Sequence, residues 1–245
     1  MRNRQVIVVA TVLLAMLAPA ALAGSPRHYP RHVPGSRDGA ANQLRLRVGE
    51  FRPSGDSDFW DETFDVFTGS ASSLDDTLFG LDWRHRIGTT VVDVEVSVAN
   101  FDGKATVGYR DYLDTDGAEI RHLAELELQP LTIAVVGYPF GRDRSFRPYV
   151  GIGAGFYWWR YREHGDFIDF GVDPPEVFTE AYVSEDTALG WFFEAGVDLM
   201  LSPDWSLFVD ARWHDVDDEL GDDLAGFGTI DLSGNEVSLG VAFHF

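Results

Sequence analysis

The stretch Glu236–Phe245, EVSLGVAFHF, decides the fold. Val237, Leu239, Val241, Phe243 and Phe245 fall on one face; Glu236, Ser238, Gly240, Ala242 and His244 fall on the other. A period of two over such a length is the signature of a strand whose faces meet unlike surroundings. Its length matches the ~9–11 residues with which a tilted strand crosses a bilayer.

The same alternation recurs upstream. Trp205, Leu207, Val209, Ala211 and Trp213 alternate with polar positions that include Asp210 and Arg212. Leu189 to Leu199 and Val150 to Trp158 repeat the pattern, with glycine at 151, 153, 155, 190 and 196 on the second face. Val92, Val94, Val96 and Val98 oppose Asp93, Glu95 and Ser97; Phe79, Leu81 and Trp83 oppose Asp82 and Arg84; Leu44, Leu46 and Val48 oppose Arg45 and Arg47. One more strand is expected within 118–138, where Leu126 and Leu128 oppose Glu125 and Glu127. The phase is lost at Gln129-Pro130-Leu131, so a bulge is expected near Pro130, which cannot donate to a ladder.

That makes eight strands. Connections at 87–89, 141–145 and 202–204 are short, whereas 53–76, 101–117, 162–186 and 215–233 are long and polar. The expected fold is all-β: an eight-stranded antiparallel transmembrane β-barrel of up-and-down topology, with short periplasmic turns and long extracellular loops. A soluble sandwich or lipocalin-like barrel would alternate equally, with the apolar face inward. Membrane insertion is favoured by charged or glycine residues on the second face and by aromatic residues toward strand ends. Trp158, Tyr161, Trp191, Trp205, Trp213 and Tyr138 are expected in interfacial girdles.

Residues 1–23 read as a signal peptide: Arg2 and Arg4, an apolar run from Val6 to Leu17, Pro19, then Ala21-Leu22-Ala23. Residues 24–41 are expected to form a flexible periplasmic arm, and 42–245 the barrel. Without Arg2 and Arg4, 17 Lys and Arg face 40 Asp and Glu, a formal charge of −23. Such acidity argues against nucleic acid as a partner. Cysteine is absent, which excludes disulfides and thiolate metal sites. The histidines show no metal-ligand spacing, and neither a metal nor another cofactor is expected.

Residues 146–155, FRPYVGIGAG, together with Arg121-His122-Leu123 and Gly137-Tyr-Pro-Phe-Gly, resemble OmpW-like small outer-membrane barrels. The resemblance implies a bacterial outer-membrane location among lipid and lipopolysaccharide. The alternating residues Val237, Leu239, Val241, Phe243 and Phe245 are similar to the signal read by the barrel-assembly machinery.

Residues expected to line the lumen are Arg45, Arg47, Asp82, Arg84, Asp93, Glu95, Glu125, Glu127, Glu194, Asp198, Asp210, Arg212 and Glu236. Eight strands leave an interior just wide enough for side chains to fill. These charges therefore form either an ion-paired plug or a narrow path for small solutes. No Ser or His pair suggests a nucleophile and base, so a non-enzymatic transport or envelope-integrity role is expected. The alternative is an adhesin or surface-binding protein acting through its acidic loops, with Phe59, Trp60, Phe64 and Phe67 as a contact patch. Six acids within 215–223 read as a solvated surface or as a recruiter of divalent cations.

Overall fold

A computed structural model describes residues 40–88 and 91–245. The leader expected over 1–23 and all but the end of the expected arm lie outside them. The strands are β1 (Asn42–Pro53), β2 (Asp76–Arg86), β3 (Val92–Leu113), β4 (Glu119–Gly137), β5 (Phe146–Asp169), β6 (Glu176–Met200), β7 (Trp205–Asp215), β8 (Asp217–Glu219), β9 (Thr229–Asp231) and β10 (Gly234–His244). A helix, α1 (Asp58–Val66), follows β1. Eight strands close antiparallel in the order β1-β10-β7-β6-β5-β4-β3-β2, while β8 and β9 pair separately. The seam runs from Gln43 opposite His244 to Pro53 opposite Gly234. It is finished by Asn42 N–H to Phe245 O (2.9 Å) and Phe245 N–H to Asn42 O (3.0 Å). Closure pairs both edges of every barrel strand within the apolar zone, which is what lets strands cross lipid.

The outer face carries that zone as a belt. Along β5 the outward row reads Phe146, Pro148, Val150, Ile152, Ala154, Phe156, Trp158, then Arg160 and Arg162. The change from apolar to polar falls at matching heights elsewhere: Val48 to Glu50, Val98 to Asn100, Leu131 to Gln129, Leu189 to Thr187 and Val237 to Asn235. The register aligns these breaks, because Val98 lies opposite Leu131, Leu131 opposite Phe156, and Phe156 opposite Leu189. No helix among the described residues is long and apolar enough to cross a membrane; the barrel crosses with strands.

Above the belt the polarity reverses. β3 to β6 run 22, 19, 24 and 25 residues, about twice what a bilayer needs, and form a curved wall beyond it. There the inward face is apolar (Phe101, Leu126, Leu128, Trp159, Tyr161) and the outward face is charged. With water outside, the ordinary rule for a soluble sheet returns.

The structure corrects several expectations. Much of 101–117 and 162–186, expected as loops, is strand. No bulge occurs at Pro130: β3 and β4 keep one register on either side of it, Val98 opposite Leu131 and Phe101 opposite Leu128. The irregularity lies instead between Gly108 and Leu113. Tyr138 and Tyr161 are not girdle residues; both are buried inside the barrel, whereas Trp191, Trp205 and Trp213 stand exposed on the belt.

Candidate functional site

Within the belt, inward charges must be paired and large inward side chains need room, and the chain supplies ion-pair partners and glycines for the two. Four arginines (Arg45, Arg47, Arg84 and Arg212) meet six acids (Asp82, Glu95, Glu194, Asp198, Asp210 and Glu236) in one buried network drawn from β1, β2, β3, β6, β7 and β10. Arg45 donates to Asp198 at 2.8 Å and to the Tyr149 hydroxyl at 2.7 Å, and its guanidinium lies 3.7 Å over the Phe208 ring. Arg47 donates to Asp82 at 3.1 Å and pairs with Glu236. Arg84 bridges Glu95 and Glu194, the latter at 3.1 Å. Arg212 reaches Asp210 (2.8 Å), Glu95 (2.9 Å) and Glu194 (3.2 Å). Burying an ion costs several kcal/mol unless partners and hydrogen bonds satisfy it, and here each guanidinium has at least two partners.

Hydroxyls knit these charges together, and alternation places Ser97 and Tyr149 on the same inner face. Ser97 donates to Asp82 at 2.6 Å, Tyr149 to Asp210 at 2.6 Å, and Tyr138 to Asp198 at 3.2 Å. Tyr149 sits in phase with the inward glycines of β5, a signal that was available. The glycines make room rather than a bore. A methyl group at Gly80 would strike Arg47, at Gly151 Glu194, at Gly153 Phe192, at Gly196 Tyr149, and at Gly240 Phe208.

The other expected lumen residues lie elsewhere. Asp93 sits at the short-turn end, paired with Arg142, which stacks 3.8 Å over Tyr138. Glu125 and Glu127 are not in the lumen. They occupy the outward face of β4 above the belt, where Glu125 pairs with Lys104 and Arg162, while Leu126 and Leu128 point inward. The physical reason is the reversal of polarity: above lipid, the charged member of an alternating pair faces out. Val237, Leu239, Val241, Phe243 and Phe245 form the outward row of β10.

Aromatic packing seals the network from above. His214 bonds the Tyr157 hydroxyl (2.9 Å) and stacks on Phe192 at 5.5 Å, with Phe51 beside it. Over these lies the loop helix α1. Asp58 and Asp61 favour its first turn, and Phe59 and Trp60 face down into the wall. Trp60 stacks on Phe64, meets Tyr161 edge-on at 5.4 Å, and donates to Asp231 O at 2.8 Å. The Asp231 carboxylate in turn accepts from Ser54, from Asp56 N–H (2.7 Å) and from Ser233 N–H (2.9 Å). Burial works against that charge, but the bonds from Ser233, Ser54 and Asp56 prevail and hold its pKa below the ordinary carboxylate value. Phe59 and Trp60 are thus core, not the exposed patch expected of them; Phe64 and Phe67 pack partly buried against it.

The wall's free edge is also closed off. β6 pairs with β5 along its length but meets β7 only from Trp191 to Met200, leaving that second edge of its outer half without a strand partner. Carboxylates take its edge amides: Ala181 N–H goes to Glu180, Val183 to Asp223, Glu185 to Asp222 and Thr187 to Asp186. Part of the loop acidity therefore protects an exposed strand edge. Among the described residues, no group of three or more His, Asp or Glu is placed to hold a metal ion.

The sequence matches the family model described as Outer membrane protein beta-barrel domain over residues 8–245. No curated protein matches it. Among solved structures it is similar to Neisserial surface protein A (13% identity, 84% of this chain, 98% of that one, TM-score 0.47). It is also similar to Escherichia coli outer membrane protein W (19%, 84%, 98%, TM-score 0.43) and to Ail of Yersinia pestis, solved with the heparin analogue sucrose octasulfate (14%, 83%, 99%, TM-score 0.42).

Proposed function

This chain belongs to the outer-membrane protein β-barrel family, and from that premise we propose that it is a closed, non-catalytic anchor whose work is done on its extracellular face. It resides in the bacterial outer membrane, surrounded by lipid. The carrying observation is the filled lumen: Arg45, Arg47, Arg84 and Arg212 are locked to acids across the bore, and the glycine gaps beside them are occupied by neighbouring side chains. A solute would have to break several buried ion pairs at once, and losing one partner of such a pair typically costs about 3–5 kcal/mol. The helix and loops packed above add a second seal. The outward row Val237, Leu239, Val241, Phe243 and Phe245 serves lipid contact, and in this reading is also the segment that the barrel-assembly machinery engages.

The test is planar-bilayer conductance of the refolded, detergent-purified barrel. A folded, heat-modifiable protein that gives no discrete steps is expected. Regular single-channel steps would overturn the closed-anchor reading in favour of a narrow solute path.

A further inference from the structure

The wall ends in an apolar tip that the fold leaves uncovered. Tyr112 and Leu113 close β3, Phe170 and Val172 follow β5, and Val177 and Phe178 open β6; their exposures run from 37% to 63%. Scattered exposed apolar residues are ordinary, but six gathered at one tip mark a contact surface. They form a built patch: Tyr112 meets Phe170 edge-on at 5.1 Å and Tyr109 at 6.2 Å, and the Tyr109 hydroxyl accepts Ile168 N–H at 3.1 Å.

Lipid does not cover this tip. Phe170 lies 12 residues beyond Trp158, where the continuous apolar outward row of β5 gives way to Arg160 and Arg162, roughly 40 Å farther along the chain. Charge selects among the remaining occupants. Segments 109–121 and 164–181 hold nine Asp and Glu against two Arg. Both arginines are engaged, Arg110 by the carbonyls of Phe64 and Phe67 (2.9 and 2.8 Å) and Arg121 by Glu119. A second copy of this chain would bring the same negative rim, and an anionic glycan or nucleic acid would be repelled. We infer that the tip docks a basic peptide segment of a partner protein, one in which Lys or Arg alternates with apolar side chains. The apolar residues seat on Tyr112 and Phe170 while the cations meet the acidic rim; such complementarity sets specificity and approach rate.

The inference rests on the extracellular-face reading, and its test separates the two. The full chain in phosphatidylcholine nanodiscs is titrated with a labelled alternating Lys/Leu peptide, against empty discs. An alternating Glu/Leu peptide and oligolysine serve as comparators, and folding of every variant is checked by heat-modifiability. The Lys/Leu peptide should bind at least tenfold more tightly than either comparator. Tyr112→Ser with Phe170→Ser should weaken it at least tenfold, and Asp169→Asn with Glu176→Gln should weaken it and flatten its salt dependence. Equal affinity for wild type and both variants, or binding of neither peptide, overturns the inference. Preference for the Glu/Leu peptide overturns it too while leaving surface binding in place, and conductance decides the closed barrel independently.

Discussion

Arg212 is the residue on which the interior turns. It lies within 3.5 Å of carboxylates from Asp82, Glu95, Glu194 and Asp210, so its removal strands several buried negative charges together. Arg212→Ala is expected to destabilise the barrel by about 3–5 kcal/mol, read from urea unfolding in detergent. Arg212→Met combined with Glu95→Gln should recover part of that loss, because the penalty comes chiefly from the uncompensated charge. His122 presents a different case, in the wall above the membrane. Its ring is sealed between Phe67 and Phe167 at 4.5 and 4.7 Å, neither nitrogen has a hydrogen-bond partner, and Glu163 stands 3.9 Å away. Burial lowers its pKa to about 4. Since the unfolded imidazole titrates near 6.5, the unfolded state binds more protons between these values. Docking of the first loop should therefore weaken as pH falls from 6.5 to 4 and level off below. Protease sensitivity of 57–75 reports this, and His122→Phe should remove the pH dependence.

β4 shows how one strand carries two rules. Its even-numbered residues face inward throughout, but inward means Thr132, Ala134 and Val136 beside the ion pairs, and Leu126 and Leu128 in the apolar core above. Leu126→Ala is expected to cost about 2–5 kcal/mol as a core cavity. Glu125→Ala should change stability by at most about 1 kcal/mol, since its partners Lys104 and Arg162 are substantially exposed. Equilibrium unfolding of the two variants distinguishes them, and a reversed order would put Glu125 back in the lumen. Belt strands were legible because lipid forces apolar residues outward over a full crossing, as in Val237–Phe245 and Val92–Val98. The lumen set was legible there for the same reason, through Arg45, Asp82, Glu95 and Arg212. Beyond the belt, alternation persists but does not say which face is wet, and so it does not place Glu125, Glu127 and Tyr161; Tyr138 instead continues the inward row of Thr132, Ala134 and Val136 at the short-turn end. Pro130 misled further: it passes through the strand without shifting the register, whereas the true irregularity near Gly108 to Leu113 carries no proline.

The whole molecule is two layers of opposite polarity in series: a closed barrel apolar outside and ion-paired within, and above it a curved wall charged outside and apolar within. A single continuous set of strands, β3 to β6, joins them, which makes the outer wall a rigid extension of the membrane anchor. The helix α1 and the segment 216–233 fill the side where β1, β2, β7 and β10 stop short. The net charge of −21 is consistent with a surface that stays solvated and rejects anionic partners. Because the chain has no cysteine, single nitroxide labels can be placed without background along the outward row of β5, at 150, 152, 154, 156, 158, 160 and 162. Electron paramagnetic resonance of the bilayer-reconstituted protein then compares collisions with oxygen and with a water-soluble nickel complex. High oxygen and low nickel access through 158, with nickel access rising sharply at 160 and 162, is the expected profile. Lipid-like values continuing through 160 and 162, or water-like values at 152 and 154, would contradict the inversion on which this account is built.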